Sequence, residues 1–267
     1  MGTIADKLEY LNDTKTAIKG ALQNRGVAVS DTDTFRSYAD KIGQIGETVE
    51  KTKFGASVDT WIGDVDANGV LNRTTWKGAL NFAGVKGIGY SGLYYAFYKH
   101  TGITSVDLSS LQSVDSFGLQ NAFYSCTGLT SVDLSSLQTV GSFGLQNAFY
   151  NCIGITSVDL SSLQSVNDSG LYSAFSFCTE LTSVDLSSLQ SVGSYGLYNT
   201  FDSCKKLTTM SFPSLTSVQS NSFTYTFDNC TALTEIHFRA DMQATIEGLT
   251  GYSSKFGATN ASIIFDL

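Results

Sequence analysis

The 267-residue chain predicts a mainly β fold, a solenoid of 26-residue coils with parallel strands, preceded by an N-terminal α-helical hairpin. Three observations predict it. First, one phrase recurs at a fixed interval: ITSVDLSSLQSV begins at Ile103, LTSVDLSSLQTV at Leu129, ITSVDLSSLQSV at Ile155 and LTSVDLSSLQSV at Leu181, each 26 residues after the last. Weaker copies begin at Leu207 and Leu233, and one period before Ile103 the segment KGALNFAGVKGI keeps the apolar pattern through Leu80, Phe82, Val85 and Ile88. Second, Val106 and Leu108 alternate with Ser105 and Asp107, the mark of a short strand with one face buried. Third, Cys126, Cys152, Cys178, Cys204 and Cys230 fall on the same period. A single coil cannot bury its own apolar side. Neighbours stacked about 4.8 Å apart bury a continuous core and pair every strand edge except the two at the ends.

The elements follow in chain order. Residues 1–46 are expected to form the helical hairpin, an attachment or oligomerisation unit. Ile4, Leu11 and Ile18 are seven apart, with Leu8 and Leu22 on the same stripe, and Asn24-Arg25-Gly26 supplies a stop. A second helix starts near Asp33 or Thr34 and carries Phe35, Tyr38, Ile42 and Ile45. A hairpin this short has too little core to stand alone, so it docks on the repeats, on its own copies or on a larger assembly. Self-association, guessed as a trimer, and a helical cap over the solenoid are both open.

Residues 47–76 are expected to form a linker and an N-terminal capping hairpin. Asp64, Asp66, Asn68 and Gly69 match the first half of a calcium loop, but the twelfth position holds Thr75 instead of Glu. The competing reading makes Asn68-Gly69 a tight hairpin turn between apolar flanks. Residues 77–258 are the solenoid, and 259–267 a closing strand through Ile263 and Phe265.

Within a coil the other apolar points are Leu111, Val114, Leu119 and Phe123, repeated three periods on as Leu189, Val192, Leu197 and Phe201. Gly118, Gly144, Gly170 and Gly196 share one position, which implies a backbone corner with positive φ or close packing. The Cys column, continued by His100 one coil earlier, reads as buried thiols: an odd number cannot all pair, and free Cys is among the most buried residue types. A disulfide or metal ladder is the competing reading, with four zinc ligands at a recognised spacing missing.

The motif AF-x-x-C-x-x-L-x-x-V-x-L, present as Ala122-Phe123, Cys126, Leu129, Val132 and Leu134 and again over 148–160 and 174–186, resembles the BspA-like leucine-rich repeats. The resemblance covers about two thirds of the chain, and the segment SFGLQN is longer than the family's usual one. It implies a right-handed leucine-rich-repeat solenoid used for adhesion and recognition, with no catalytic activity. The leader TIADKLEYLNDTKTAIKGALQNRGVAVSDTDTFRSYADKI looks like a segment that opens many structural proteins of tailed bacteriophages, where it precedes unrelated modules. That resemblance implies a virion protein whose helices contact other virion proteins.

Composition narrows the function classes. With 16 Lys and Arg against 24 Asp and Glu the net charge is −8, which argues against a nucleic-acid partner. No apolar run of about 18 residues occurs, so no membrane insertion is expected. The start carries charges where a signal peptide has its apolar stretch, favouring a virion over an exported adhesin on the bacterial cell surface. His100 and His237, the only two histidines, lie over five periods apart, and no nucleophile elbow, HExxH or P-loop is present, so no enzyme and no cofactor are expected.

Binding must then come from positions that point outward. Asp107, Asp133, Asp159 and Asp185 form one column, either a recruiter of cations or basic partners or a screened surface; neighbours repel by roughly 0.8 kcal/mol in water. A second surface is aromatic and amide-rich. One position runs Tyr94, Gln120, Gln146, Tyr172, Tyr198, and another carries Phe117, Phe143 and Tyr195. A third has Tyr98, Tyr124 and Tyr150. Exposed rings with amides nearby suit the glycans of a bacterial surface receptor, while part of the set serves to cover the core.

Overall fold

A computed structural model describes residues 78–82 and 84–267. The helical hairpin of 1–46, with Ile4, Leu8, Leu11, Ile18 and Leu22, and the hairpin or calcium loop at Asp64–Gly69 lie outside the described residues.

Each coil starts with a strand of the T-S-V-D phrase: β1 (Gly78–Asn81), β3 (Ile103–Asp107), β5 (Ser131–Asp133), β7 (Ser157–Asp159), β9 (Ser183–Asp185), β11 (Thr209–Phe212) and β13 (Glu235–Phe238). After a short turn, a two-residue strand follows: β2 (Gly87–Ile88), β4 (Ser113–Val114), β6 (Thr139–Val140), β8 (Ser165–Val166), β10 (Ser191–Val192) and β12 (Ser217–Val218). The short strands form one parallel sheet in the order β12-β10-β8-β6-β4-β2. The longer ones form β1-β3-β5-β7-β9 and, with β14 (Ser262–Phe265), β11-β13-β14. Register runs coil to coil: Val106 opposite Val132, Val158 opposite Val184, and Val114, Val140, Val166, Val192 and Val218 in a row.

The third side of each coil is built of turns. From Asp115 to Cys126 the N–H groups of Gly118, Gln120, Ala122, Tyr124 and Cys126 donate to the carbonyls of Asp115, Phe117, Leu119, Asn121 and Phe123. The intervening N–H groups of Phe117, Leu119, Asn121, Phe123 and Ser125 donate to Ser142, Gly144, Gln146, Ala148 and Tyr150 in the next coil. Alternate donors thus close turns and stitch coils, so that every N–H from Phe117 to Cys126 has an acceptor. The geometry demands left-handed backbone at Phe117, Asn121 and Ser125 (φ 60°, 55° and 55°) and at the matching residues of the other coils. Asn, which tolerates that region best among side-chain-bearing residues, fills several of them, including Asn147, Asn151, Asn199, Asn221 and Asn229.

The recurring glycines therefore serve the other role left open by the sequence, close packing. A Cβ on Gly118 would stand 2.8 Å from Cγ1 of Val114, and one on Gly170 the same distance from Cγ1 of Val166. The positive φ falls on the residue just before each of them.

Inward from the three sides lie Val106, Leu108, Leu111, Val114, Leu119 and Phe123 and their repeats, almost without solvent contact. Phe123, Phe149 and Phe175 stack at centroid spacings of 5.4 and 5.3 Å. The column continues through Phe201 and Phe227, each 6.0 Å from the ring before it. The last coil departs from the pattern. In place of a second short strand it has the helix α1 (Gln243–Glu247) and a turn of 3-10 helix at Tyr252–Gly257, and Phe256 packs against Phe223 at 5.4 Å. β14 then pairs with β13, Ile263 opposite Ile236 and Phe265 opposite Phe238.

Candidate binding surface

The turn side carries aromatic side chains in three groups. Tyr90 meets Phe117 edge-on at 5.7 Å, and Phe117 stacks on Phe143 at 5.1 Å. A second group runs obliquely across the coils. Tyr94 contacts Tyr95 at 4.6 Å, Tyr95 contacts Tyr98 at 5.2 Å, and Tyr98, Tyr124 and Tyr150 stack at 4.9 and 4.6 Å, ending on Phe177 at 5.3 Å. The Lys99 ammonium sits 5.2 Å from the Tyr98 ring centre. The third group centres on Tyr198, which stacks on Tyr172 at 4.7 Å and has Tyr195 tilted and Tyr225 perpendicular to it, each at 5.7 Å. Burial among these rings, then their mutual repulsion as phenolates, raises the Tyr198 hydroxyl above its ordinary value.

The eight residues of the first two columns singled out from the sequence are therefore divided. Tyr172, Tyr195 and Tyr198 come together. Tyr94 belongs to the oblique stripe, and Phe117 and Phe143 to the group with Tyr90. Gln120 and Gln146 are half-buried, and the Gln120 Nε2 donates to Oε1 of Gln146, so the amides satisfy each other along the axis. The same holds for Asn147 and Asn121, joined at 3.2 Å. Tyr95 and Tyr225 were missed, because their repeat position holds Asn or Ser in the coils between them.

Six copies of the repeat match the family described as BspA type leucine rich repeat region, over residues 93–226 and 199–250. The chain belongs to this family. A comparison with curated proteins finds no match. Among solved structures, one described as "Crystal structure of TLR13-ssRNA13 complex" is 14% identical with a TM-score of 0.34; the match covers 70% of this chain and 24% of that one.

The remaining columns of this BspA-type solenoid are occupied by its own architecture. Each Asp of the strand column turns back on the residues that follow. The N–H groups of Ser109, Ser135, Ser161 and Ser187 donate to the carboxylates of Asp107, Asp133, Asp159 and Asp185 at 3.0, 3.0, 2.9 and 2.8 Å. These bonds, from the Ser hydroxyl first and then the N–H, hold Asp107 and Asp159 below the usual carboxylate range. The column thus closes the turn after the strand, as Asp commonly does. Among the described residues no group of three or more His, Cys, Asp or Glu could hold a metal ion.

The five thiols are free and buried in a row. Burial pushes Cys126, Cys178 and Cys230 up to about 12 and raises Cys152 and Cys204 well above the ordinary thiol value. Such groups are packing units, and neither nucleophiles nor metal ligands at neutral pH. His100 takes the same position one coil earlier and is buried too. Among the described residues no helix is long and apolar enough to cross a membrane.

Proposed function

We propose that this chain is a non-enzymatic attachment protein whose solenoid binds the bacterial surface, through glycans, by its turn side. The observation that carries the proposal is the contrast between columns. Core positions such as Leu111 and Val114 repeat with little change, whereas the outward turn positions vary between Tyr, Phe, Gln, Ser and Asn and cluster their rings at the surface. Packing does not require that variation, and solenoids of stacked repeats present such extended surfaces to ligands.

The finer reading is a bacteriophage virion component (a fibre, tail or head-surface protein). The likeness of residues 3–42 to the leader of tailed-phage structural proteins supports it. In this reading the segment with Ile4, Leu8, Leu11, Ile18 and Leu22 joins copies to each other and to the particle. Several copies, three in the simplest arrangement, convert weak sugar contacts into avidity. Membership of the BspA-type family favours the second reading, an adhesin on the bacterial cell surface.

Two measurements separate these statements. Full-length protein is added to bacterial cells before and after periodate oxidation of surface sugars. Binding that periodate abolishes is the expected result; failure to bind any cells overturns the attachment role. Immunogold labelling with antibody to the chain then locates it on phage particles, as proposed, or on the cell envelope, which would replace the virion reading with the adhesin.

A further inference from the structure

In the aromatic group around Tyr198, two exposed rings turn away from one stacked pair. In the stripe from Tyr98 to Tyr150 successive rings lie within 20° and 7° of parallel and cover each other's faces. At Tyr198, by contrast, the Tyr195 and Tyr225 rings stand at 55° and 88° to the central ring. Tyr198 and its stacked neighbour Tyr172 are half-buried, while Tyr195 and Tyr225 remain 42% and 49% exposed. The result is a stacked pair with two exposed rings standing at an angle against it.

Both wall residues occupy strained backbone. Tyr195 and Tyr225 each have φ of 56°, where the same repeat positions hold Asn221 and Asn199 one coil away. A bulky side chain in that region costs of order 1 kcal/mol or more, against little for Asn. Neither ring is needed to fill the core, so the packing of the coil does not account for them.

The surroundings select the ligand. Asn199 and Asn221 lie half-buried at neighbouring repeat positions, and the buried Ser169, Ser173 and Thr224 add no charge. Along one flank, the column that carries Tyr98, Tyr124 and Tyr150 in earlier coils carries Asp202 and Asp228. The Asp202 carboxylate is fixed by the Ser203 hydroxyl at 2.9 Å and the Asn229 amide at 3.1 Å. None of these positions holds Lys or Arg. Rings that accept the C–H face of a sugar, amides that read its hydroxyl groups, and a negative flank together favour an uncharged saccharide and repel an anionic one.

We propose that Tyr195 and Tyr225, held on either side of Tyr198, form the walls of a binding site for an uncharged saccharide. This rests on the reading of the solenoid as a glycan-binding attachment protein. Tyr195 and Tyr225 touch the ligand, and Tyr198 is a positioning residue that sets their angle.

The test uses the full-length protein, its Tyr195→Ala and Tyr225→Ala variants and, as a control from another aromatic group, Tyr90→Ala. The probe is a printed array of neutral, sialylated and sulfated oligosaccharides. Melting temperature verifies folding; both substitutions are at exposed positions. The wild type is expected to bind a subset of the neutral glycans, each wall variant to lose about tenfold in affinity, and Tyr90→Ala to bind as wild type. Preference for sialylated or sulfated glycans, the absence of binding to any neutral glycan, or unchanged affinity in both wall variants would overturn the site. Periodate-sensitive cell binding that both wall variants retain would remove this site and leave the attachment role standing. Loss of all cell binding by the wild type would instead remove the attachment role itself.

Discussion

The thiol of Cys152 donates to the carbonyl of Phe123, 29 residues earlier, at 3.1 Å. That carbonyl also accepts the N–H of Cys126 at 3.0 Å, so one oxygen closes a turn in its own coil and receives the next. The relationship repeats as Cys178 to Phe149, Cys204 to Phe175 and Cys230 to Phe201, at 3.3, 3.3 and 2.9 Å. A small apolar side chain with one weak donor suits a position that must be both dry and hydrogen-bonded.

The five thiols should therefore be inert in the native protein. Iodoacetamide at pH 8 is expected to modify none of them without denaturant and all five in concentrated urea, read by mass spectrometry. Rapid labelling of native Cys178, whose pKa burial lifts to about 12, would contradict the buried row.

Phe149 lies between Phe123 and Phe175 and has no exposed surface. Phe149→Ala should lower unfolding free energy by about 3–5 kcal/mol, measured by urea denaturation. A loss below about 1 kcal/mol would mean that the rings do not form a packed column.

Gly144 faces Gly141 O at 2.9 Å and Val140 Cγ1 at 3.0 Å from the place where a Cβ would be. Gly144→Ala is expected to destabilise by about 1–3 kcal/mol through overcrowding. The neighbouring Asn147, with φ of 53°, should tolerate Gly far better than Ala. Equal effects of Asn147→Gly and Asn147→Ala on the melting temperature would count against the left-handed turn.

The closing strand should respond to pH through His237. Its Nδ1 lies 2.9 Å from the Asp266 carboxylate and its Nε2 3.4 Å from Glu235, and the Asp266 bond raises its pKa above the ordinary value. Because the folded value is the higher one, the stabilisation is complete below about pH 6.5 and is lost as pH rises through the folded pKa. Hydrogen exchange of β14 amides should accelerate over that rise, after correction for intrinsic rates, and His237→Gln should flatten the change. For Asp107 and Asp159 the sign is reversed: their depressed values add stability above about pH 3.9 that disappears as acid protonates them.

The parts of this fold that repeat were legible in the sequence. Val106, Leu119, Phe123 and Cys126 recur at one spacing, and repetition exposes what a single strand of three residues would hide. The turn ladder was not legible in its conformation. Gly118 reads as a corner of positive φ or close packing, and it serves close packing; the left-handed residue is Phe117, where inter-coil hydrogen bonds outweigh the steric cost. The Asp column is exposed at Asp133, Asp159 and Asp185 as expected, but its bond to the following Ser was not legible, since an Asx turn onto Ser135 differs from a solvent-facing carboxylate only in side-chain rotation. Residues 243–247 match the period by count but form a helix: Ala244 stands where Val114 and its repeats stand in the short strands, and Ala favours a helix. At the candidate surface, column membership identified Tyr172, Tyr195 and Tyr198, whereas Tyr225 comes from a different column and meets them only through the stacking of coils.

Coil-to-coil register is the claim on which the surface depends, and paired cysteines read it directly. Asp133 and Asp159 are register partners on adjacent strands. Under mild oxidation the full-length Asp133→Cys/Asp159→Cys protein should form an intramolecular disulfide, detected by peptide mass mapping. Asp133→Cys/Asp185→Cys, two coils apart, should form none. Equal cross-linking in both variants, or none in the first, would contradict the stacked solenoid.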